Sequence, residues 1–316
     1  MALPVYASPL ERIWYYTYRV ICGLIFFFLI VPILVIIPLS FNSEPYFTFT
    51  QKMLTLNPEG FSMRWYENLL TFGMQAPGAE RDSSWWSDVW NNASWVNAAK
   101  NSVIVGFWAT LLSASLGTLA ALGLSRPEMP YRKLITAILL SPMIVPIIIT
   151  ATGLFFFYSN PCALLSPFGI EGCGRLTSTY LGVILAHATL GIPFVIITVT
   201  ATLVGFDHSL TRAAASLGAN PVTTFRKVQL PLITPGVVSG ALFAFVTSFD
   251  EVVVVLFIGS HEQQTIPRQM WNGIREQISP SILAVATILV IISIALLTTV
   301  ELLRRRSERL RGLTPQ

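Results

Sequence analysis

The chain has 316 residues, of which 53% are hydrophobic and only 11% are charged, and its mean hydropathy is +0.64. Soluble domains carry about 25% charged residues, so a water-soluble globular fold is excluded for the main body of the chain. The net charge of +4 does not indicate a nucleic-acid surface, because Lys and Arg cluster in short segments between apolar runs. The three cysteines form no C-x-x-C pair, so no metal site is predicted.

Apolar segments long enough to cross a hydrocarbon layer, which takes ~20 residues, recur along the chain. They lie near residues 15–41, 99–124, 134–158, 179–204, 235–258 and 280–303. Because lipid offers no hydrogen-bond partner to the backbone, each segment is predicted to be helical. The sequence therefore predicts an all-α integral membrane protein with about six transmembrane helices.

The basic residues predict the orientation of these spans. They flank the first span and occupy the second link, the fourth link and the tail: Arg12, Arg19; Arg126, Arg132, Lys133; Arg212, Arg226, Lys227; Arg304, Arg305, Arg306, Arg309 and Arg311. If the spans alternate, all of these lie on one side, which is the positive-inside pattern. Residues 42–98, by contrast, hold three basic and six acidic residues, as expected of an outside loop. Both termini are therefore predicted to be cytoplasmic.

Two cysteines, Cys162 and Cys173, lie in the next predicted outside loop. An oxidising compartment would permit a disulfide that closes a short loop. The alternative is two unpaired cysteines that pack as small hydrophobic residues.

Residues 207–236 form a polar link whose helix-capping and helix-ending residues indicate two short helices. Apolar residues recur at helical spacing in the first, and Gly218 can end it in a left-handed conformation. Asn220 can cap the second, which is expected to turn Val222 and Phe225 inward and to be ended by two prolines, Pro231 and Pro235. Three consecutive alanines would let a partner protein approach the backbone closely. The link is therefore predicted to be a docking element.

This link resembles the permease subunits of type I ATP-binding-cassette importers. Their E-A-A-x-x-x-G loop ending in I-x-L-P is matched by Arg212-Ala213-Ala214-Ala215-Ser216-Leu217-Gly218 and then Val228-Gln229-Leu230-Pro231. The spacing matches throughout, and Phe225 lies between the two motifs. Arg212 stands where the family usually has Glu, which implies an ATPase partner with altered charge.

A longer stretch is similar to one branch of this family. SFDEVVVVLFIG at 248–259 and TIPRQMWNGIREQISPSILAVATI at 265–288 resemble the branch that imports spermidine and putrescine. The resemblance implies a permease for polyamines or a related cationic molecule. An opine, another amino-acid derivative, iron or an anion are the alternative substrates within the family.

The resemblance also implies a division of labour among subunits. It implies two ATP-binding subunits, a second homologous permease, a periplasmic substrate-binding protein and membrane lipid as partners, and no nucleic acid. No G-x-x-x-x-G-K-[ST] loop occurs in the sequence, so the chain is expected to be a translocation subunit, not an enzyme. It is expected to hold no cofactor, with ATP and Mg bound by the partner subunit.

The implied organisation is a type I permease fold in the bacterial inner membrane. Residues 1–45 are the cytoplasmic N-terminus and first helix, 46–96 a periplasmic loop, 97–303 the core with the cytoplasmic coupling loop 207–231, and 304–316 a basic cytoplasmic tail.

Two adjacent carboxylates, Asp250 and Glu251, lie in the predicted fifth span, ~22 Å from Pro235 and so beyond the midplane. Neighbouring helical residues point ~100° apart, so at most one is expected to face a pore, while the other caps a helix or reaches water. A carboxylate in hydrocarbon needs a cavity or a partner, which a cationic substrate would supply. The alternative is structural pairing with Arg268 or Arg275.

Aromatic residues concentrate in the predicted outside segments. The loop 42–98 and its border contain five tryptophans: Trp65, Trp85, Trp86, Trp90 and Trp95. They are expected to anchor short helices at the headgroup layer or, alternatively, to contact the substrate receptor. Trp271 could stack on an ammonium group of the substrate or act as an interfacial anchor.

Two other classes of membrane protein fit the sequence less well. A secondary transporter is expected to show two related halves or interrupted helices with paired acidic residues. A membrane enzyme would need a cluster such as H-E-x-x-H, but histidine occurs only at positions 187, 208 and 261.

Overall fold

The computed structural model describes residues 8–126, 128–162, 166–168, 172, 174–207, 209–276 and 279–310. These residues form helices and connecting turns with no β-strand among them, which confirms the all-α prediction. The chain divides into two compact units, one formed by Met1–Gly78 with Gly273–Gln316 and the other by Ala79–Asn272.

The first unit begins with a long apolar helix. In chain order it contains α1 (Pro9–Leu39), α2 (Gln51–Leu54), a 3₁₀ turn (Pro58–Gly60), α3 (Arg64–Thr71), the end of α13 (Ile266–Glu276) and α14 (Ser281–Leu310). Helix α1 starts with a capping box, in which the Glu11 N–H donates to Ser8 Oγ and the Ser8 N–H donates to Glu11 Oε2. Trp65 donates its indole N–H to the Asn42 carbonyl at 2.6 Å and so ties α3 to the end of α1.

The second unit holds most of the transmembrane segments. Its helices are α4 (Ser83–Asn92), α5 (Ser94–Leu124), α6 (Arg132–Ile144), α7 (Ile147–Ser159), α8 (Tyr180–Val204), α9 (Ser209–Ser216), α10 (Pro221–Thr224), α11 (Leu230–Asp250), α12 (Val253–Ile258) and the start of α13. A 3₁₀ turn (Ser166–Phe168) and a π turn (Phe225–Gln229) complete it.

Three helices, α5, α8 and α11, form the centre of this unit and approach closely at small residues. A Cβ added at Gly117 would lie 2.6 Å from Val195 Cβ, and one at Gly240 would lie 2.4 Å from Thr198 Oγ1. Without a hydrophobic force between helices in lipid, such close contact supplies the packing energy. The three helices therefore form a tight frame that fixes their register.

The number of spanning helices agrees with the prediction in part. Pro9–Leu39, Ser94–Leu124, Tyr180–Val204 and Pro221–Asp250 are long and apolar enough to cross a membrane. The bent pair α6 and α7 gives a fifth span if it is counted as one. In the described residues the apolar part of α14 covers only Ser281–Ala295, so the sixth span at 280–303 stays a prediction.

The predicted third span, 134–158, is not one continuous helix. Helices α6 and α7 meet at an angle of 105°. Val145 is extended, with ψ of 136°, because it precedes Pro146 and the proline ring disfavours the helical conformation there. The hydropathy of the segment gave no sign of this bend, since window averages do not register the position of a proline.

The close approach of α5 to α8 can be tested with two alanine substitutions in one helix. Gly117→Ala is expected to lower Tm, because overpacking against the stiff Val195 side chain costs ~1–3 kcal/mol. Gly123→Ala is the matched control, since open space surrounds that position and alanine gains up to ~1 kcal/mol of helix propensity. Thermal unfolding of the two purified variants measures the difference, and equal Tm values would contradict the close packing.

Candidate functional site

The link between α8 and α11 folds locally as its sequence predicts. Gly218 has φ of +81° and ends α9, and its N–H donates to the Ala215 carbonyl at 2.9 Å. Asn220 Oδ1 accepts from the Thr223 N–H at 2.8 Å, which caps α10 with Pro221 at its first position. These two local predictions are confirmed. We name residues 207–231 the coupling segment.

Apolar side chains on the coupling segment are left exposed. Leu217 is 89% exposed and Val222 is 65% exposed, and Arg212, Ala213 and Ala215 are exposed beside them. The expectation that Val222 turns inward is wrong. Thr224 occupies the inward side, and residues two apart on a helix point in nearly opposite directions. These exposed side chains are accessible to a partner molecule.

Phe225 and Leu230 do face inward and join the coupling segment to the helical frame. Both pack against a buried cluster that includes Val199, Leu203 and Ile233. The segment is therefore attached firmly at its end nearest to α11.

The second short helix does not end at its prolines, contrary to the prediction. The backbone continues through the π turn into α11, in which Pro231 lies at the first turn and Pro235 inside the helix. In the π turn the Leu230 N–H donates to the Phe225 carbonyl, five residues back. Pro231 has no backbone N–H to donate to the preceding turn. The wider π turn shifts the backbone hydrogen-bond register at this point, so the helix continues past the proline.

A cavity of about 1270 Å³ borders the coupling segment. Its wall comes from the ends of α5 and α8 and from the segment itself, with Leu119, Leu122, Phe206, Pro221 and Phe225 among the lining residues. Arg126 and Glu128 add charge to its lining. The segment is thus bordered on one side by open space.

The two adjacent carboxylates of the predicted fifth span differ in exposure, and they lie at the end of α11 and not within one continuous helix. Asp250 is the last residue of α11 and is exposed, whereas Glu251 is only 7% exposed. The backbone turns extended at Glu251, with ψ of 123°, and its Oε1 accepts from the Val254 N–H at 2.8 Å. Glu251 therefore caps α12, and Asp250 is left at a break in the predicted fifth span, 235–258.

Arg268 does not pair with either carboxylate, so the alternative is wrong for this arginine. Its Nη1 donates to the Val255 carbonyl at 3.0 Å and to the Ser260 carbonyl at 2.8 Å. Burial lowers the pKa of the Arg268 guanidinium. Arg275 belongs to the other compact unit.

Hydrogen bonds between α8 and its neighbours give the level of Asp250. His187 Nδ1 lies 2.8 Å from Ser248 Oγ, so the two residues share one level. His187 is ~10 Å along α8 from Tyr180 and ~25 Å from Val204, at ~1.5 Å per residue. Asp250 therefore lies in the half of the bundle far from the coupling segment.

A polar clamp at that far end was missed by reasoning from the sequence. Asn101 Nδ2 donates to the carbonyls of Glu262 and Gln264 at 2.7 and 2.9 Å, and the Tyr180 hydroxyl donates to Asn101 Oδ1 at 2.8 Å. The clamp fixes the loop between α12 and α13. The polar start of an otherwise apolar α5 was the only signal for it.

The remaining candidate residues stay predictions. Trp271 lies on α13 and is 44% exposed. Cys162 is disulfide-bonded and Cys22 is free, while Cys173 lies outside the described residues. The pairing of Cys162 with Cys173 is therefore not tested.

Comparisons with known proteins agree with this architecture. Residues 113–311 match the family described as binding-protein-dependent transport system inner membrane component. The spermidine/putrescine transport system permease protein PotC of Haemophilus influenzae is 30% identical over 283 residues, which cover 90% of this chain and 94% of that protein. The putrescine transport system permease protein PotI of Escherichia coli is 29% identical, over 91% of this chain and 88% of that protein.

A solved structure shares the fold. It is a bacterial alginate ABC transporter in complex with an alginate pentasaccharide-bound periplasmic protein, in which one chain is 16% identical with a TM-score of 0.62. The alignment covers 94% of this chain and 96% of that chain. With the family match spanning more than half of the sequence, the chain belongs to the binding-protein-dependent transport system inner membrane components, as a multi-pass translocation subunit of an ABC importer.

Proposed function

We propose that this permease imports a cationic small molecule of the polyamine class. The names of the two relatives support this substrate class. The observation that carries it is Asp250, an exposed carboxylate at a helix break within the membrane bundle. Carboxylates at such depth face a cavity or a partner and mark substrate pathways by default.

The end of α11 adds to the negative electrostatic potential around the Asp250 carboxylate. Asp250 stands at the C-terminus of α11, where the helix dipole is negative. The last carbonyls of a helix have no partner within it and are available to an ammonium group. In other transporters, interrupted helices bind cations at their unwound carbonyls and C-terminal ends. An anion would be repelled by the same arrangement.

Energy for transport would come from two ATP-binding subunits that bind ATP and Mg, one of which docks on the coupling segment. The exposed Leu217 and Val222 supply apolar contact, and Arg212 suits a partner surface with an acidic residue. Because one continuous helix runs from Pro221 to Asp250, a displacement of the coupling segment would be transmitted along that helix to the Asp250 carboxylate.

The other partners are a second, homologous permease and a periplasmic binding protein. The periplasmic protein in the alginate transporter structure supports the latter by analogy of fold. Asp250 is exposed in the single chain, which leaves it accessible for a path shared with the second permease. Trp271 and the Cys162–Cys173 pairing remain proposals within this assembly.

The substrate proposal is tested with the ATPase activity of the reconstituted importer and its binding protein. Spermidine or putrescine is expected to stimulate activity, and molybdate or sugars are not. Asp250→Asn is expected to change the kinetics about tenfold, which corresponds to ~1.4 kcal/mol. Either the half-saturating concentration of the polyamine-loaded binding protein rises, or the maximal ATPase rate falls.

Glu262→Gln is the matched control, because its carboxylate is also exposed but lies in the clamped outer loop. Stimulation by anions alone would discard the polyamine class. Unchanged kinetics for Asp250→Asn would remove Asp250 from the path while leaving the importer intact.

The docking proposal is tested by a charge on the coupling segment. Leu217→Asp is expected to lower the amount of ATP-binding subunit that co-purifies with this permease, because a carboxylate would have to be buried at the contact. Leu56→Asp is the control, since Leu56 is 79% exposed and its φ of 55° suits aspartate. Normal co-purification of Leu217→Asp would contradict docking at this surface.

A further inference from the structure

Helix α4 lies directly before α5, and one of its faces packs on the protein. Asp82 Oδ1 accepts from the Trp85 N–H at 2.8 Å and caps the helix. Trp85 and Val89 are only 3% and 5% exposed. Ala93 alone separates α4 from α5, so the position of α5 in the membrane fixes that of α4.

A second face of α4 carries two large exposed indoles. Trp86 is 55% exposed and Trp90 is 60% exposed, and they lie four residues apart, one helical turn. The third face is polar and exposed, with Ser83, Ser87 and Asn91. The helix is therefore divided into a protein face, an indole face and a water face.

The length of α5 gives the depth of the indole face. Its 31 residues extend ~46 Å, against ~30 Å for the hydrocarbon layer. The excess lies at its first turns, where Asn101 binds the outer loop and Ser102 Oγ accepts from the Ile266 N–H at 2.8 Å. The apolar remainder ends at Leu124, beside the cavity that borders the coupling segment.

Lys100, on α5, relates the depth of that helix in the membrane to the position of Trp90. It lies ~36 Å along the axis from Leu124, just beyond a ~30 Å hydrocarbon layer. Its Nζ is 4.6 Å from the centroid of the Trp90 ring and also donates to the Trp90 carbonyl. These contacts hold Trp90 at the level of Lys100.

We propose that α4 is a lipid anchor, with Trp86 and Trp90 inserted among the headgroups of the leaflet opposite the coupling segment. Indoles prefer this layer because one edge is apolar and the N–H can meet water or headgroup oxygens. The anchor holds the outer end of α5, and with it the Asn101 clamp, at constant depth. It depends on the membrane placement of α5 and not on the identity of the substrate.

Difference fluorescence tests the proposal on the full chain, reconstituted with its partners. Vesicles of phosphatidylcholine and phosphatidylglycerol are compared with vesicles whose phosphatidylcholine carries bromine, which quenches indoles on contact. The contribution of the two indoles is the native emission minus that of the Trp86→Phe/Trp90→Phe variant. It is expected to be blue-shifted, largely lost in brominated vesicles and only weakly quenched by acrylamide.

Trp85→Phe is the matched control, because the indole of Trp85 is buried in the protein and its difference emission should resist both quenchers. Quenching of the Trp86 and Trp90 emission by acrylamide and not by bromine would overturn the proposal. Protection from acrylamide only after the binding protein is added would overturn it too, and would assign this face to protein docking.

Hydroxyl-radical footprinting of the unmodified complex in lipid nanodiscs gives a result even if the double variant does not assemble. Low oxidation of Trp86 and Trp90 is expected. Oxidation that matches their exposure of 55% and 60% would contradict insertion into lipid.

Discussion

Hydrocarbon offers the backbone no hydrogen-bond partner, and each interruption of a helix in this bundle must meet that constraint. The fifth predicted span meets it at Glu251, whose carboxylate caps α12 and leaves Asp250 as the exposed group. The predicted third span meets this constraint with Pro146 at its bend, because a proline has no backbone N–H that needs a partner. Each break is therefore placed where a side chain or a proline limits the number of backbone groups left without a partner.

The small residues of α5, α8 and α11 determine where that break lies. Contacts of Gly117 with Val195 and of Gly240 with Thr198 fix the register of the three helices, and His187 meets Ser248 next to the break. The same α11 continues without interruption into the coupling segment through the π turn. Packing at the centre thus places the exposed coupling segment at one end of α11 and the Asp250 carboxylate towards the other.

The sequence predicted the features that depend on local chemistry. Gly218 and Asn220 act within one turn of their own positions, and spans follow from runs of apolar residues, so both kinds of prediction were within reach. The continuation of the helix through Pro231 was not, because it depends on a π turn that periodicity does not reveal. The Asn101 clamp joins residues 161 positions apart, and no spacing rule connects them.

Helix α11 is expected to join the coupling segment to Asp250 as one rigid rod. Spin labels attached at Val222→Cys and Val246→Cys, which are both exposed positions, allow the distance between them to be measured by pulsed electron paramagnetic resonance. The free native cysteine, Cys22, is replaced by serine in this experiment. One distance distribution is expected, unchanged between the nucleotide-free and the ATP-bound importer. A change of about one helical turn, ~5.4 Å, would show that the π turn opens and would contradict rigid transmission.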